Sequence, residues 1–471
     1  MRLLVYGLGR SGSAVVARAR ARGCEVAFVE RRAAGADVDA AVAAGATRIE
    51  RVDAWPSDLC VAAPGVPIDH PDLTRLRALG VEVIGEVEWI ARTLPARIVG
   101  VTGTAGKGSV TRWLTDTLQA AGVDALAGGN LDPALSAVAR PDATWVVELS
   151  SFQLERCPTL RPDVAVVLNL GVDHLDRHRT VAAYHAAKRA LLANLGPEQV
   201  FVFDGADATL RRWARETPAR PRPFVTAPAA AAALEEELGI APAASVHLGD
   251  DTLRLGDRPL LHSVDLALRG THQHANALAV ALAAEALGLD DAAIGAGLRA
   301  FTGLPGRYSE VGRIGEVRFV DDSIATRELA VAASLEATPW PVVWIVGGVD
   351  KGADVTGLER LVRERVVLTL GIGRSGRTLC ERVADWVPSE YIDAEDGPQA
   401  LRIACERALT RLRRDHGGVG TVLLAPLAAS FDQFSDYRAR GDAFAEAVHA
   451  LVGSGARADG AHEGGPWTRS C

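Results

Sequence analysis

The chain has no CxxC pair, no surplus of basic residues, no leader-like opening and no long apolar run, and each absence closes off a class of function. Its six cysteines, Cys24, Cys60, Cys157, Cys380, Cys405 and Cys471, lie far apart. That distribution fits reduced thiols rather than a disulfide framework or a zinc site. Lys and Arg number 51 against 59 Asp and Glu, giving a formal net charge of −8. With the basic residues scattered, no cationic face offers itself to nucleic acid. Loops and helix N-termini can still bind phosphates within an acidic protein. The opening MRLLVYGLG enters a strand–turn–helix pattern at once, without the charged, apolar and small-residue succession of a signal peptide. No apolar stretch approaches the length of a membrane span, so the expected compartment is the cytoplasm.

What is present is a long, soluble, globular composition: 471 residues, 48% hydrophobic and 23% charged. Two to three domains follow from the length. Short Val/Ile/Leu runs at 3–6, 98–101, 145–148, 164–169, 342–346 and 366–370 end in Gly or polar residues. They alternate with Ala/Leu-rich helical stretches. Buried parallel strands with crossover helices produce this pattern, so the expectation is α/β, with doubly wound sheets in more than one domain. Breaks at RTLPA (92–96) and FTGLPG (301–306) divide the chain into 1–92, 93–300 and 301–452. Residues 215–262 read as an irregular insertion with a small β element, and 453–471 as a disordered tail.

Residues 6–13 read YGLGRSGS, with glycines at 7, 9 and 12. Such spacing lets a diphosphate approach the backbone at a helix N-terminus, where Gly9, Arg10 and Ser11 stand. Glu30 ends the next strand, where an acid meets a ribose or sugar hydroxyl. On this segment alone a nicotinamide-dinucleotide oxidoreductase and a plain tight turn remain open. The stretch IVGVTGTAGKGSVT (98–111) is a second strand, Gly-rich loop and helix. Its backbone N–H groups suit phosphates and Lys107 suits the β/γ oxygens. It is not a strict Walker A: Val101 stands at the first Gly position and Gly108 where a metal-ligating hydroxyl belongs. Glu148 closes the strand 145–148, and Asp173, His174 and Asp176 follow the strand 164–169. Carboxylates and imidazoles at these strand ends suit Mg²⁺ beside a triphosphate.

GTAGKGS, VELSSFQLE, LNLGVDHLDRH and AAYHAAK, in this order, resemble the central domain of the Mur ligases. FTGLPGR, DDS-AT, GGVDKGAD and LLAPLAASFDQFSDYRARG resemble the branch of that family that adds D-glutamate to UDP-N-acetylmuramoyl-L-alanine. The matching segments run from residue 6 to about 441. The resemblance implies an N-terminal Rossmann-like UDP-binding domain, a central P-loop-type ATPase and a C-terminal Rossmann-like domain. It implies ATP bound by Gly103, Thr104, Ala105, Gly106, Lys107, Gly108 and Ser109, with Asn276 (beside Gln273) near the adenine. Arg307 and Asp322 would reach the nucleotide from the C-terminal domain. Glu148, His174 and a carbamylated Lys188 would hold two Mg²⁺, with Ser109 replacing the hydroxyl missing at Gly108. The UDP-substrate falls to Gly9, Arg10, Ser11, Glu30, Asn130 and Ser150, and glutamate to Thr326, Lys351, Ser430 and Tyr437. The chemistry implied is an acyl phosphate formed from ATP and then displaced by glutamate's amine, in a monomer. Ile324, Arg327 and Gly306 depart from the family pattern. That leaves L-glutamate or another acyl acceptor as alternatives.

Overall fold

The Val/Ile/Leu runs become strands because each is covered on both faces, and the Ala-rich stretches between them become the covering helices. The computed structural model describes residues 1–458, apart from 33, 248, 250, 269, 305 and 350–354. Two compact units result, Met1–Phe301 and a second beginning at Thr302.

The first unit holds two sheets. One has five parallel strands in the order Thr47–Arg48, Glu25–Val29, Arg2–Tyr6, Leu59–Ala62 and Glu82–Ile84. The other has nine strands. Seven are parallel, running from Ala125–Gly129 at one edge through Thr144–Glu148, Arg97–Thr102, Val164–Val167, Val200–Asp204 and Arg220–Val225 to Ala244–His247. The antiparallel hairpin of Thr252–Leu255 and Arg258–His262 completes the other edge. Helix Lys107–Ala120 buries Val110, Trp113, Leu114 and Leu118. Trp113 stacks on Phe301 at 4.8 Å, which pins the end of this unit to its core.

The stretch 215–262 is more regular than its composition suggests. Arg220–Val225 (RPRPFV) and Ala244–His247 extend the parallel sheet, and helix Pro228–Leu238 joins them. Two prolines and two arginines hide the strand from a search for apolar runs, since only its last three residues are buried.

Residues of the five-stranded layer are tied to the nine-stranded one by polar contacts. Arg18 donates to the carbonyls of Ser136 (2.5 Å) and Ala139 (2.6 Å). The carboxylate of Glu86 accepts from the Ser136 N–H at 2.5 Å, and that of Glu88 accepts from the Thr159 N–H at 3.1 Å. Burial pushes Glu86 up to about 7, because its remaining oxygen has no hydrogen-bond partner among the described residues.

The second unit is one six-stranded sheet, ordered Ser309–Ile314, Glu316–Asp321, Val419–Leu424, Val342–Gly347, Val366–Ile372 and Ser389–Tyr391. Only the first strand is antiparallel. The last helix runs Tyr437–Ala458, so 453–458 are helical and the rest of the expected tail lies outside the described residues.

Candidate active site

Strand Arg97–Thr102 turns into helix Lys107–Ala120 through a loop that only glycine can make at two points, Gly103 (φ +153°) and Gly106 (φ +83°). A Cβ at Gly106 would also meet Asn276 Oδ1 at 2.6 Å, so Asn276 lies directly against the loop. Its amide donates to Gln273 at 3.2 Å. The helix's first turn directs its N–H groups toward the loop's open side, ready for an anion. Gly108 is buried there, and Ser109 stands next to it.

Lys107 folds back, donating to the carbonyls of Gly103 and Thr104, each at 2.9 Å. Lys188, on helix Val181–Arg189, reaches the same Gly103 carbonyl at 2.7 Å and lies over the Tyr184 ring at 4.5 Å. Only 1% of it is exposed. Burial first, and the neighbouring Lys107 charge second, lower Lys188 to about 7, while Asp173 and Glu148 pull the other way. An amine so perturbed, held against the Gly-rich loop by the neighbouring helix, is a candidate functional group.

Glu148, at the end of strand Thr144–Glu148, is buried and half-satisfied. Its Oε1 accepts from Asn130 Nδ2 at 2.8 Å, and its Oε2 has no hydrogen-bond partner among the described residues. His174 sits in a left-handed turn (φ +52°), its Nε2 3.4 Å from Asp173 and its ring 4.8 Å from that of Phe152. The described residues hold no group of three or more His, Cys, Asp or Glu placed so as to hold a metal ion by themselves. Mg²⁺ fits such a donor set, since it is held by one or two carboxylates with water and phosphate completing its shell.

The other sequence-predicted residues divide in two groups. At the N-terminal sheet, Gly9 precedes helix Arg10–Ala21 with no side-chain cap, and a Cβ at Gly12 would strike the Gly7 carbonyl. Ser11 lies in that helix's first turn and Arg10 pairs with Asp132 at 3.3 Å. Glu30 accepts from the Leu8 N–H at 2.8 Å; burial raises it, but Arg32 and the Leu8 N–H prevail and hold it at about 2. Beside it, Tyr6, Gly7, Arg31, Val66 and His70 line a cavity of about 180 Å³ at the strand ends. Ser150 is engaged locally, forming a reciprocal capping box with Gln153.

In the second unit, buried Asp322 accepts from the Tyr308 N–H at 3.1 Å and from Ser334, and burial lifts it to about 6. Arg307 lies on the same turn, and Thr326 precedes helix Glu328–Ala337 by two residues. Ser430 is buried, with its carbonyl accepting from Phe434 N at 2.9 Å. Tyr437 opens the last helix, close to Gly306. Lys351 lies outside the described residues. Arg440, not singled out from sequence, is buried here and donates to the carbonyls of Ser323 (2.8 Å), Ala428 (3.1 Å) and Gly347 (3.2 Å).

A model of the Mur ligase middle domain matches residues 101–284, which carry Lys107, Glu148, His174, Lys188 and Asn276. The UDP-N-acetylmuramoylalanine–D-glutamate ligase of Thermus thermophilus is 43% identical over 467 residues, covering 99% of each chain. The chain belongs to the Mur ligases. A second relative of the same name, from Deinococcus radiodurans, is 41% identical over 96% of this chain and 93% of its own. Among solved Mur ligases, the UDP-N-acetylmuramate–alanine ligase MurC of Thermotoga maritima has a TM-score of 0.57 at 16% identity. That match covers 96% of this chain and all of the other. MurF of Acinetobacter baumannii reaches 0.55 at 19% identity, over 94% and 93%. The three-sheet α/β fold is therefore that of the Mur ligases.

Proposed function

We propose that this Mur ligase adds D-glutamate to UDP-N-acetylmuramoyl-L-alanine at the expense of ATP, forming an amide bond in peptidoglycan precursor synthesis. The observation that carries the reading is the convergence of Lys107 and Lys188 on one loop carbonyl beside the half-satisfied Glu148. ATP phosphates take the loop 103–109 and the helix N-terminus, and Lys107 swings from the loop carbonyls onto them. The substrate's terminal carboxylate attacks the γ-phosphorus, the bond to the β-phosphate oxygen breaks, and ADP leaves. Glutamate's amine then attacks the acyl phosphate carbon, expelling phosphate and losing a proton.

Glu148, His174 and Lys188 would hold Mg²⁺, which supplies charge neutralisation for phosphoryl transfer when bound. Lys188 is proposed to act as a carbamate: its neutral amine, favoured by burial and Lys107, adds CO₂ and becomes an anion able to hold a second ion. The uridine end of the substrate suits the cavity beside Glu30, Arg31 and His70, with its diphosphate at Gly9, Arg10 and Ser11 and its sugar toward Asn130 and Ser150. Glutamate falls to Thr326, Lys351, Ser430 and Tyr437, and Arg307 and Asp322 serve the nucleotide. The chain is read as a cytoplasmic monomer in three domains; no helix among the described residues is long and apolar enough to cross a membrane.

Phosphate release from ATP with UDP-N-acetylmuramoyl-L-alanine, comparing D-glutamate, L-glutamate and no amino acid, tests the reading. Release with D-glutamate and a product of the added mass is expected. Turnover with L-glutamate alone would move the stereochemical choice to Ile324 and Arg327, and no turnover with either would overturn the substrate assignment.

A further inference from the structure

Asn169 follows strand Val164–Val167, the direct neighbour of the strand that feeds the 103–106 loop. Its Oδ1 accepts from the N–H groups of Thr104 (3.0 Å) and Ala105 (2.8 Å). Its Nδ2 donates to the Ala105 carbonyl at 3.1 Å. One side chain thus engages three main-chain polar groups of the GTAG loop, and the Asn169 carbonyl also accepts from the Thr104 N–H at 3.1 Å. The two N–H donors settle which end of the amide is oxygen.

The same segment is laced to the loop from a second side. Gly171 N–H donates to Thr104 Oγ1 at 2.8 Å, the Tyr184 hydroxyl donates to that oxygen at 3.3 Å, and His185 Nε2 meets the Gly171 carbonyl at 2.9 Å. His174 lies five residues beyond Asn169 on this segment, and Lys188 lies one turn beyond Tyr184.

We infer that Asn169 is a positioning residue, holding the 103–106 loop in its phosphate-ready form before nucleotide arrives and keeping it in register with His174 and Lys188. With Thr104 and Ala105 N–H groups committed to Asn169, the phosphates draw on Lys107, the loop's other N–H groups and those of the helix's first turn. A loop already ordered spends less of the nucleotide's binding energy on ordering.

Asn169 matters in this way only if the loop takes ATP phosphates, as proposed above, so wild-type binding is measured alongside the variants. The experiment is amide hydrogen exchange in the nucleotide-free full chain, followed by titration with methylanthraniloyl-ATP and Mg²⁺. Asn169→Ala is expected to speed exchange across 103–106 and 169–174 at an unchanged melting temperature, and to raise the Kd by about tenfold. Its KM for ATP should rise while that for the UDP-substrate holds. Asn169→Asp, which keeps an oxygen acceptor for Thr104 and Ala105, should restore slow exchange in 103–106, and it serves alone should the alanine variant not fold. Unchanged exchange and Kd in Asn169→Ala, with wild-type binding intact, overturn the positioning role alone. Wild-type protein that does not bind the nucleotide overturns the loop assignment and this role with it.

Discussion

Lys107 and Lys188 donate to the same acceptor, the carbonyl oxygen of Gly103, at 2.9 and 2.7 Å. Burial first, and the repulsion between the two ammonium groups second, lower the affinity of Lys188 for a proton to about 7. At constant dissolved CO₂, ¹³C carbamate on the protein is therefore expected to grow as pH rises from about 6 to about 8, because the neutral amine is the form that adds CO₂. The signal should vanish in Lys188→Arg. Persistence of the carbamate in that variant would remove Lys188 from the reaction.

Glu148 is expected to be indispensable through its charge rather than its shape. Glu148→Gln retains an acceptor for Asn130 but offers no anion. Activity should fall by about a thousandfold or more, with a raised Mg²⁺ requirement. The melting temperature should hold or rise, since an unpaired buried carboxylate oxygen is removed. Near-normal turnover at ordinary Mg²⁺ would sink this assignment.

Glu86 links stability to pH. Its folded value of about 7 lies above that of an unfolded glutamate, so the folded chain holds the extra proton between roughly pH 4.3 and 7. The stability it contributes is complete below that window and is lost as pH rises through about 7. Glu86→Gln keeps the contact with Ser136 N–H. It should flatten the melting profile across this range and stabilise the protein above pH 7 by on the order of 2 kcal/mol. A variant whose melting curve tracks wild type from about pH 5 to 8 would refute the linkage.

Arg440 braces the second unit by donating to three carbonyls, Gly347 at a strand's end and Ser323 and Ala428 beyond the strands. Arg440→Met fills the space but strands those acceptors, and should destabilise the unit by about 3 kcal/mol or more in urea unfolding. Burial already lowers the guanidinium to about 10, against the pull of Asp321 and Asp432. Only loss of the unit's order, and not of the loop around Lys107, is expected; equal unfolding midpoints for variant and wild type would show the bracing to be slack.

The parallel strands were legible because burial on both faces makes them continuous apolar runs, as at 98–101 and 342–346. Arg220–Val225 was not, because prolines and arginines interrupt its apolar run and its membership depends on strand pairing with Val200–Asp204. Among site residues, Lys107 announced itself by its glycines. Lys188 did not: in HAAK nothing distinguishes it from a solvated helix lysine, and its character comes from burial and from Gly103 and Lys107, which are distant in sequence. Only the family resemblance drew attention to it. Asn169 went unremarked in LNLG, since a strand-end amide carries no spacing signal until its partners at Thr104 and Ala105 are known.

Asn130 already occupies one oxygen of Glu148. If Glu148 holds Mg²⁺ as proposed above, it would do so chiefly through the oxygen that Asn130 leaves without a hydrogen-bond partner among the described residues. Small ions that insist on six well-spaced ligands and keep their water lose nothing by this, whereas larger ions that gain from a chelating carboxylate do. At such a site Asn130 would favour Mg²⁺ over Ca²⁺ without touching either ion.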